Sequence, residues 1–159
     1  MSPHPRYHYT ECGLDNIYLV NGFGLVETPH GQSVHIRNIE GLHKAIGQIL
    51  ARERQNLSGK EFRFLRHEMN MTQRDLAAVL RVDVQSVARW EKGHTKRPID
   101  GPAQGLIRVM YEQYIGGNEK IVDPIKRLAE LDEAMNSDDD GEEISLEDTE
   151  EGWQPSMAA

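Results

Sequence analysis

The chain has 159 residues, 38% of them hydrophobic, and a formal net charge of −8 at pH 7. That length buries one ordinary core or two small ones and excludes a large multilayer enzyme; no stretch approaches the roughly 20 apolar residues of a helical membrane span. A single cysteine, Cys12, excludes an internal disulfide framework and supplies too few thiols for a cysteine-based zinc site. The N-terminal MSPHPRYHYTECG carries no apolar run of the signal-peptide kind, so the expected location is the cytoplasm.

From the N-terminus, Ile17-Tyr18-Leu19-Val20 is a β-branched and aromatic run, Asn21-Gly22 is a two-residue turn signal, and Phe23 to Val26 is a matching partner. The sequence therefore predicts a hairpin there. Beyond Pro29 and Gly31, the alternation in Ser33-Val34-His35-Ile36 predicts a third short strand. A helix follows from about Ile39 to Arg54, with Leu42, Ala45, Ile46, Ile49 and Leu50 on one face.

From Ser58 onward the pattern is a dense series of short helices. Ser58 and Glu61 have capping-box spacing before a helix that buries Phe62, Leu65 and Met69. Thr72 and Asp75 repeat the device, with Asp in place of the usual Glu, before Leu76, Ala77 and Leu80. Asp83 is an N-cap candidate for a helix containing Val84, Val87, Ala88 and Trp90 and closed by Gly93. Pro102 opens a helix with Leu106, Ile107, Met110, Tyr111 and Tyr114, ended by Gly116-Gly117, and Asp123-Pro124 starts another that reaches about Met135. The expected fold is mainly α: a five-helix domain over residues 58–135, preceded by a small α+β module over 1–57 and followed by an acidic tail over 136–159 too poor in apolar residues to order itself.

Charge is unevenly distributed along this plan. Asp132 to Glu151 holds eleven acidic residues and no basic one, leaving +3 on the remainder. Within Ser58 to Arg97 nine bases meet five acids, a net of +4. Two short helices joined by about three residues, Arg81-Val82-Asp83, with exposed polar and basic groups on the second, are the sequence form of a helix-turn-helix. The major groove of B-DNA admits one α-helix, and only side chains near the N-terminal end of its outer face reach base edges. Val84, Gln85, Ser86 and Arg89 meet that requirement; Gln85 and Arg89, four apart, share a face, and pair by type with adenine and guanine. Thr72, Gln73 and Arg74 open the preceding helix, where side chains and unpaired N–H groups suit a phosphate. Lys92, His94, Thr95, Lys96 and Arg97 form a basic stretch suited to the flanking backbone.

The run TQRDLAAVLRVDVQSVARWEKG resembles the helix-turn-helix of the lambda-repressor-like, Cro-type or xenobiotic-response-element family, and HTKRP resembles the loop that follows it in lambdoid repressors. The resemblance covers Ser58 to Gly101. It implies that Gln73 contacts phosphate, that Gln85, Ser86 and Arg89 read bases, and that Trp90 and Glu91 are structural. The chain departs from the pattern at Arg81, where the family usually has Gly in a left-handed turn position. Trp-Glu-Lys-Gly before a proline-started helix is also similar to the DNA-binding half of antitoxins paired with motility quorum-sensing regulator toxins, but Cys12 alone does not reproduce their zinc module of two CxxC pairs.

Other constellations point to blander roles. His4, His8 and Cys12 lack recognised zinc spacing, and surface or packing roles fit them better; no cofactor is expected. Nothing supplies an oxyanion hole for a nucleophilic Cys12, and no paired-carboxylate or phosphate-loop motif argues for an enzyme. The expected function is a sequence-specific transcriptional regulator, an autoregulating repressor that binds a palindromic operator in double-stranded DNA as a homodimer. The last two helices offer the dimer contact more readily than the N-terminal hairpin. One alternative is a type II antitoxin that neutralises a toxin through the N-terminal module or the tail and represses its operon. Another is a non-regulatory DNA-binding adaptor of a phage or mobile element. The tail reads either as a solubilising segment or as a phosphate mimic for the basic face from Arg89 to Arg97.

Overall fold

Side-chain caps decide where the helices start. In the computed structural model, which describes residues 6–93, 97–117, 121–125, 127 and 143–156, α1 spans Ile39–Arg52, and Asn38 at φ 49 turns its carboxamide oxygen to accept from the Gly41 N–H at 3.2 Å. The helix α2, Gly59–Glu68, has the full Ser58/Glu61 capping box, and α3, Gln73–Leu80, has the full Thr72/Asp75 one. The helix α4, Val84–Lys92, begins where the Asp83 carboxylate accepts from the Gln85 N–H and ends at Gly93, whose φ of 70 suits the left-handed closing position. Pro102 lies in the first turn of α5, Gly101–Ile115. Residues 122–125 and 127 are helical, as expected after Asp123-Pro124; the remainder of that predicted helix, to Met135, lies outside the described residues.

Among the described residues the strands form three antiparallel pairs. Tyr7–His8 (β1) pairs with Tyr18–Leu19 (β2), Phe23–Thr28 (β3) with Gly31–Ile36 (β4), and Leu146–Thr149 (β5) with Gly152–Pro155 (β6). This corrects the predicted hairpin between residues 17–20 and 23–26. Leu19 is drawn into the core, and Tyr18 stacks on His8 at 4.5 Å between ring centroids, so residues 18–19 pair backward with β1 and leave Phe23 to pair with Ile36. The turn of that hairpin is Pro29-His30, with Gly31 at φ 115 closing it. The Thr28 hydroxyl donates to the Gly31 carbonyl at 2.7 Å and accepts from the His30 N–H at 3.3 Å.

A second difference concerns the acidic tail. Residues 146–155, expected to stay without structure, form β5 and β6 around Glu150-Glu151, and they repeat the same device: the Thr149 hydroxyl donates to the Gly152 carbonyl at 2.8 Å and accepts from the Glu151 N–H at 3.2 Å. Local turn chemistry thus organises a segment whose composition alone argues for disorder. The expectation for residues 136–142 and 157–159 falls outside the described residues.

One apolar core joins the N-terminal segment to the helices. Tyr9 and Leu14 lie in it with Leu50, Phe62, Leu65, Leu76, Val87, Ile107 and Tyr111. Each such side chain withdrawn from water stabilises the fold by about 1.5–3 kcal/mol. The helices α1 and α5 pack closely because residue 47 is glycine; a Cβ there would collide with the Tyr111 ring. Arg108 on α5 closes the C-terminal end of α1, donating to the Leu50 carbonyl at 2.9 Å and the Ala51 carbonyl at 3.1 Å. Gln104, buried on α5, accepts from the Leu57 N–H at 2.9 Å and donates to the Ile99 carbonyl at 2.7 Å. It joins the strands of chain that lead into α2 and α5.

Candidate nucleic-acid interface

The site is built on α3, the turn Arg81-Val82-Asp83 and α4. Arg81 sits in the left-handed region at φ 57 and ψ 45, so the turn keeps the geometry in which glycine is usual; an arginine there costs about 1 kcal/mol. Its N–H donates to the Ala78 carbonyl at 3.3 Å and that of Val82 to the Ala77 carbonyl at 3.0 Å, which ends α3 and frees the chain to start α4 at Asp83. Leu76 and Val87, both fully buried, lock the two helices together.

The inner side of α4 is held by charge as well as by packing. Glu91 is buried, and Arg66 meets it with two parallel hydrogen bonds, Nε to Oε2 at 2.7 Å and Nη2 to Oε1 at 2.8 Å. The Arg66 Nη1 also donates to the Met71 carbonyl at 2.8 Å, so one guanidinium ties α2, the α2–α3 loop and α4. Gln73 adds a bond from Nε2 to Glu91 Oε1 at 3.1 Å. The Trp90 ring meets Phe62 edge-on at 5.9 Å. At Gly59 a Cβ would press on the carbonyl oxygens of Trp90 and Glu91, the latter at 2.8 Å, so the start of α2 lies directly against the end of α4.

The outer side is open. Val84, Gln85 and Arg89 are exposed, Ser86 is half-buried, and the Arg89 Nη2 donates to the Ser86 hydroxyl at 3.4 Å, which aligns the guanidinium along the helix. Arg74, Lys92 and Arg97 are exposed around it. The Thr72 hydroxyl accepts from the Asp75 N–H at 3.0 Å and keeps its own O–H to donate, so at this end of α3 a phosphate can use that hydroxyl and the first-turn N–H groups of Gln73 and Arg74. Gln73 keeps one amide hydrogen beyond the one given to Glu91. His94, Thr95 and Lys96 lie outside the described residues.

Counting Arg66 with the basic stretch misplaces it: its charge is spent inside the molecule. The signal lay in the spacing, because Arg66 falls in the stripe of Phe62, Leu65 and Met69, where an exposed base does not belong. A second polar chain joins the N-terminal segment to α2. The Tyr9 hydroxyl and His43 Nε2 are 2.7 Å apart, and His43 Nδ1 lies 2.9 Å from Glu68 Oε1. His43 and Glu68 border a cleft of about 580 Å³ that also touches Cys12, Arg63 and Lys92. Burial pushes the Cys12 thiol above its ordinary value, which disfavours the thiolate a nucleophile needs. His8 stacks on Tyr18 and bonds the Asp15 carbonyl at 2.6 Å. Among the described residues no group of three or more His, Cys, Asp or Glu side chains is arranged to hold a metal, and no helix is long and apolar enough to cross a membrane.

Residues 62–100 match the family described as Helix-turn-helix, a range that runs from Phe62 in α2 to the residue before α5. No curated protein and no solved structure matches the chain.

Proposed function

We propose, from the premise that this chain carries a helix-turn-helix of the lambda-repressor and Cro type and is through it a DNA-binding transcriptional regulator, that it acts in the cytoplasm as an autoregulating repressor bound to a palindromic operator as a homodimer. In this reading residues 58–135 form the DNA-binding unit and residues 1–57 the module that buttresses it. The observation that carries the reading is the asymmetry of α4: its inner side is fixed by Val87, Trp90 and the buried Arg66–Glu91 pair, and its outer side presents Gln85 and Arg89 to solvent. A rigid helix with a polar, cationic outer face is what major-groove readout requires. Gln85 and Arg89 discriminate bases, each good bidentate contact being worth about 1–3 kcal/mol, with Val84 and Ser86 beside them. Thr72, Gln73, Arg74, Lys92 and Arg97, with His94, Thr95 and Lys96, position the helix on phosphates.

The test is fluorescence anisotropy with the DNA upstream of the chain's own gene and an unrelated duplex, for wild type and Arg89→Ala, over a salt series. Wild type prefers its own upstream DNA; Arg89→Ala loses about 1–3 kcal/mol of that preference and keeps the weaker, salt-sensitive binding to both. Equal binding of wild type to the two duplexes at every salt concentration rules out autoregulation. A second reading, the antitoxin, draws on the exposure of Ile144, Leu146 and Trp153 at 85%, 58% and 73%, a row of apolar anchors in an acidic segment suited to a small basic protein. Co-purification with the product of an adjacent gene tests it.

A further inference from the structure

We infer that, without DNA, the acidic hairpin Leu146–Pro155 docks on the outer face of α4 in its own chain, with Arg89 received between Asp148 and Trp153. The inference rests on the DNA-binding reading and concerns the regulation of that same face. Three observations lead to it. The first is the state of the receiving face. Arg74, Arg89 and Lys92 are exposed, and among the described residues no carboxylate forms an ion pair with any of them. The recognition helix therefore presents cations that nothing described neutralises, while eleven carboxylates lie further along the same chain with no base among them.

The second is the form of the segment where it has structure. The register of β5 and β6 sets Asp148 opposite Trp153 and Leu146 opposite Pro155, so these four residues share one face of the hairpin. A carboxylate beside an exposed indole is suited to a guanidinium, which takes the carboxylate through its N–H groups and stacks its plane on the ring. Arg89, whose guanidinium donates to the Ser86 hydroxyl, has that chemistry. The tip of the hairpin adds Glu150 and Glu151, which suit the neighbouring cations.

The third is reach. The chain from Arg127 to Leu146 spans at most about 65 Å when extended, and a domain of roughly 120 residues is about 35 Å across, so every part of the surface is within range. The tether also keeps the segment at an effective concentration in the millimolar range, where an individually weak contact is populated. The contact is electrostatic and exposed, so salt weakens it; an operator displaces it because the duplex offers the same face phosphates together with base edges. Unrelated duplex offers phosphates alone. The tail therefore suppresses nonspecific binding more than specific binding.

The experiment uses the full chain in three forms: wild type, Trp153→Ala, and a neutralised variant carrying Asn or Gln for Asp138, Asp139, Asp140, Glu142, Glu143, Glu147, Asp148, Glu150 and Glu151. Two-dimensional amide NMR of the DNA-free proteins is read beside affinity for unrelated duplex. We expect the resonances of Val84–Lys92 to move on neutralisation, to move in the same direction when salt is added to wild type, and to move part of the way in Trp153→Ala. Affinity for unrelated duplex rises about tenfold at low salt in the neutralised variant, and the gap closes as salt is raised. If affinity rises while the α4 amides stay in place, the tail acts only as a distant net charge and docking is overturned. If the moving amides lie in β3 and β4 instead, the tail sits elsewhere and docking on α4 is equally overturned. If no form binds any duplex while the α4 amides move, the DNA-binding reading fails and the contact itself stands.

Discussion

The two sides of α4 are nine residues of one helix under opposite demands. The inner side carries Val87, half-buried Trp90, and Glu91 in a bidentate pair with Arg66; both carboxylate oxygens of Glu91 have partners drawn from α2 or α3. The outer side carries Val84, Gln85 and Arg89, and among the described residues the Arg89 guanidinium bonds the Ser86 hydroxyl at 3.4 Å. The difference shows how affinity for a ligand and stability of a fold are kept apart. Side chains that are to form new hydrogen bonds must not be committed to old ones, and the helix that presents them must not shift when they do. The inner side meets the second requirement so that the outer side can meet the first.

Substitutions that distinguish the two sides sharpen this contrast, and one that blurred them would break it. The largest effect is expected from Glu91→Ala, which strands the Arg66 guanidinium in the core and should cost about 3–5 kcal/mol in chemical denaturation. A paired change, Arg66→Met with Glu91→Leu, should recover most of that loss, because it is the unpaired charge and not the missing bridge that is costly. Next comes Gly59→Ala, whose Cβ pushes on the backbone at the end of α4 and should lower stability by about 1–3 kcal/mol, read as a lower denaturation midpoint with an unchanged slope. Lys92→Ala, on the exposed side, should leave the midpoint alone and reduce the slope of log affinity against log salt by about 1 on every duplex tested. An equal loss of stability from Lys92→Ala would break the division between the sides.

The smallest effect is a pH dependence. Burial, with Arg66 and then Arg63 nearby, holds the His67 imidazole below its ordinary value of 6.5. The fold thus favours the neutral ring: this contribution is fully present above the unfolded value and is lost as pH falls from there through the folded one. Because His67 is exposed at the surface the change is slight. It is best seen as a difference: wild type should lose more of its denaturation midpoint between about pH 8 and about pH 5.5 than His67→Gln does.

Helix starts were legible because their signals are local: Ser58 with Glu61, Thr72 with Asp75, Asp83, and Pro102 each act within one turn of the helix they open. The outer face of α4 was legible for the same reason, since helical periodicity alone separates Gln85 and Arg89 from Val87 and Trp90. What was misread depends on partners distant in sequence. Asn21-Gly22 is a stronger turn signal than Thr28-Pro29-His30-Gly31, yet the pairing of Tyr18–Leu19 with β1 and the burial of Leu19 decide the register. The Arg66–Glu91 pair joins residues 25 apart, and no count of charges reveals that two of them cancel inside the core. The β5–β6 hairpin lacks an Asn-Gly turn and sits in a segment dominated by carboxylates, so composition hid a threonine that holds the turn by itself.

Gln104 carries one further consequence. Its side chain holds the Leu57 amide ahead of α2 and the Ile99 carbonyl ahead of α5, and both bonds are buried. The segments at the two borders of the DNA-binding helices therefore cannot loosen one at a time. In hydrogen exchange the Leu57 amide is released only when α5 leaves, so it should report the opening of the whole domain rather than fraying at its border. One buried side chain holding both borders means that α2 and α5 are expected to open together.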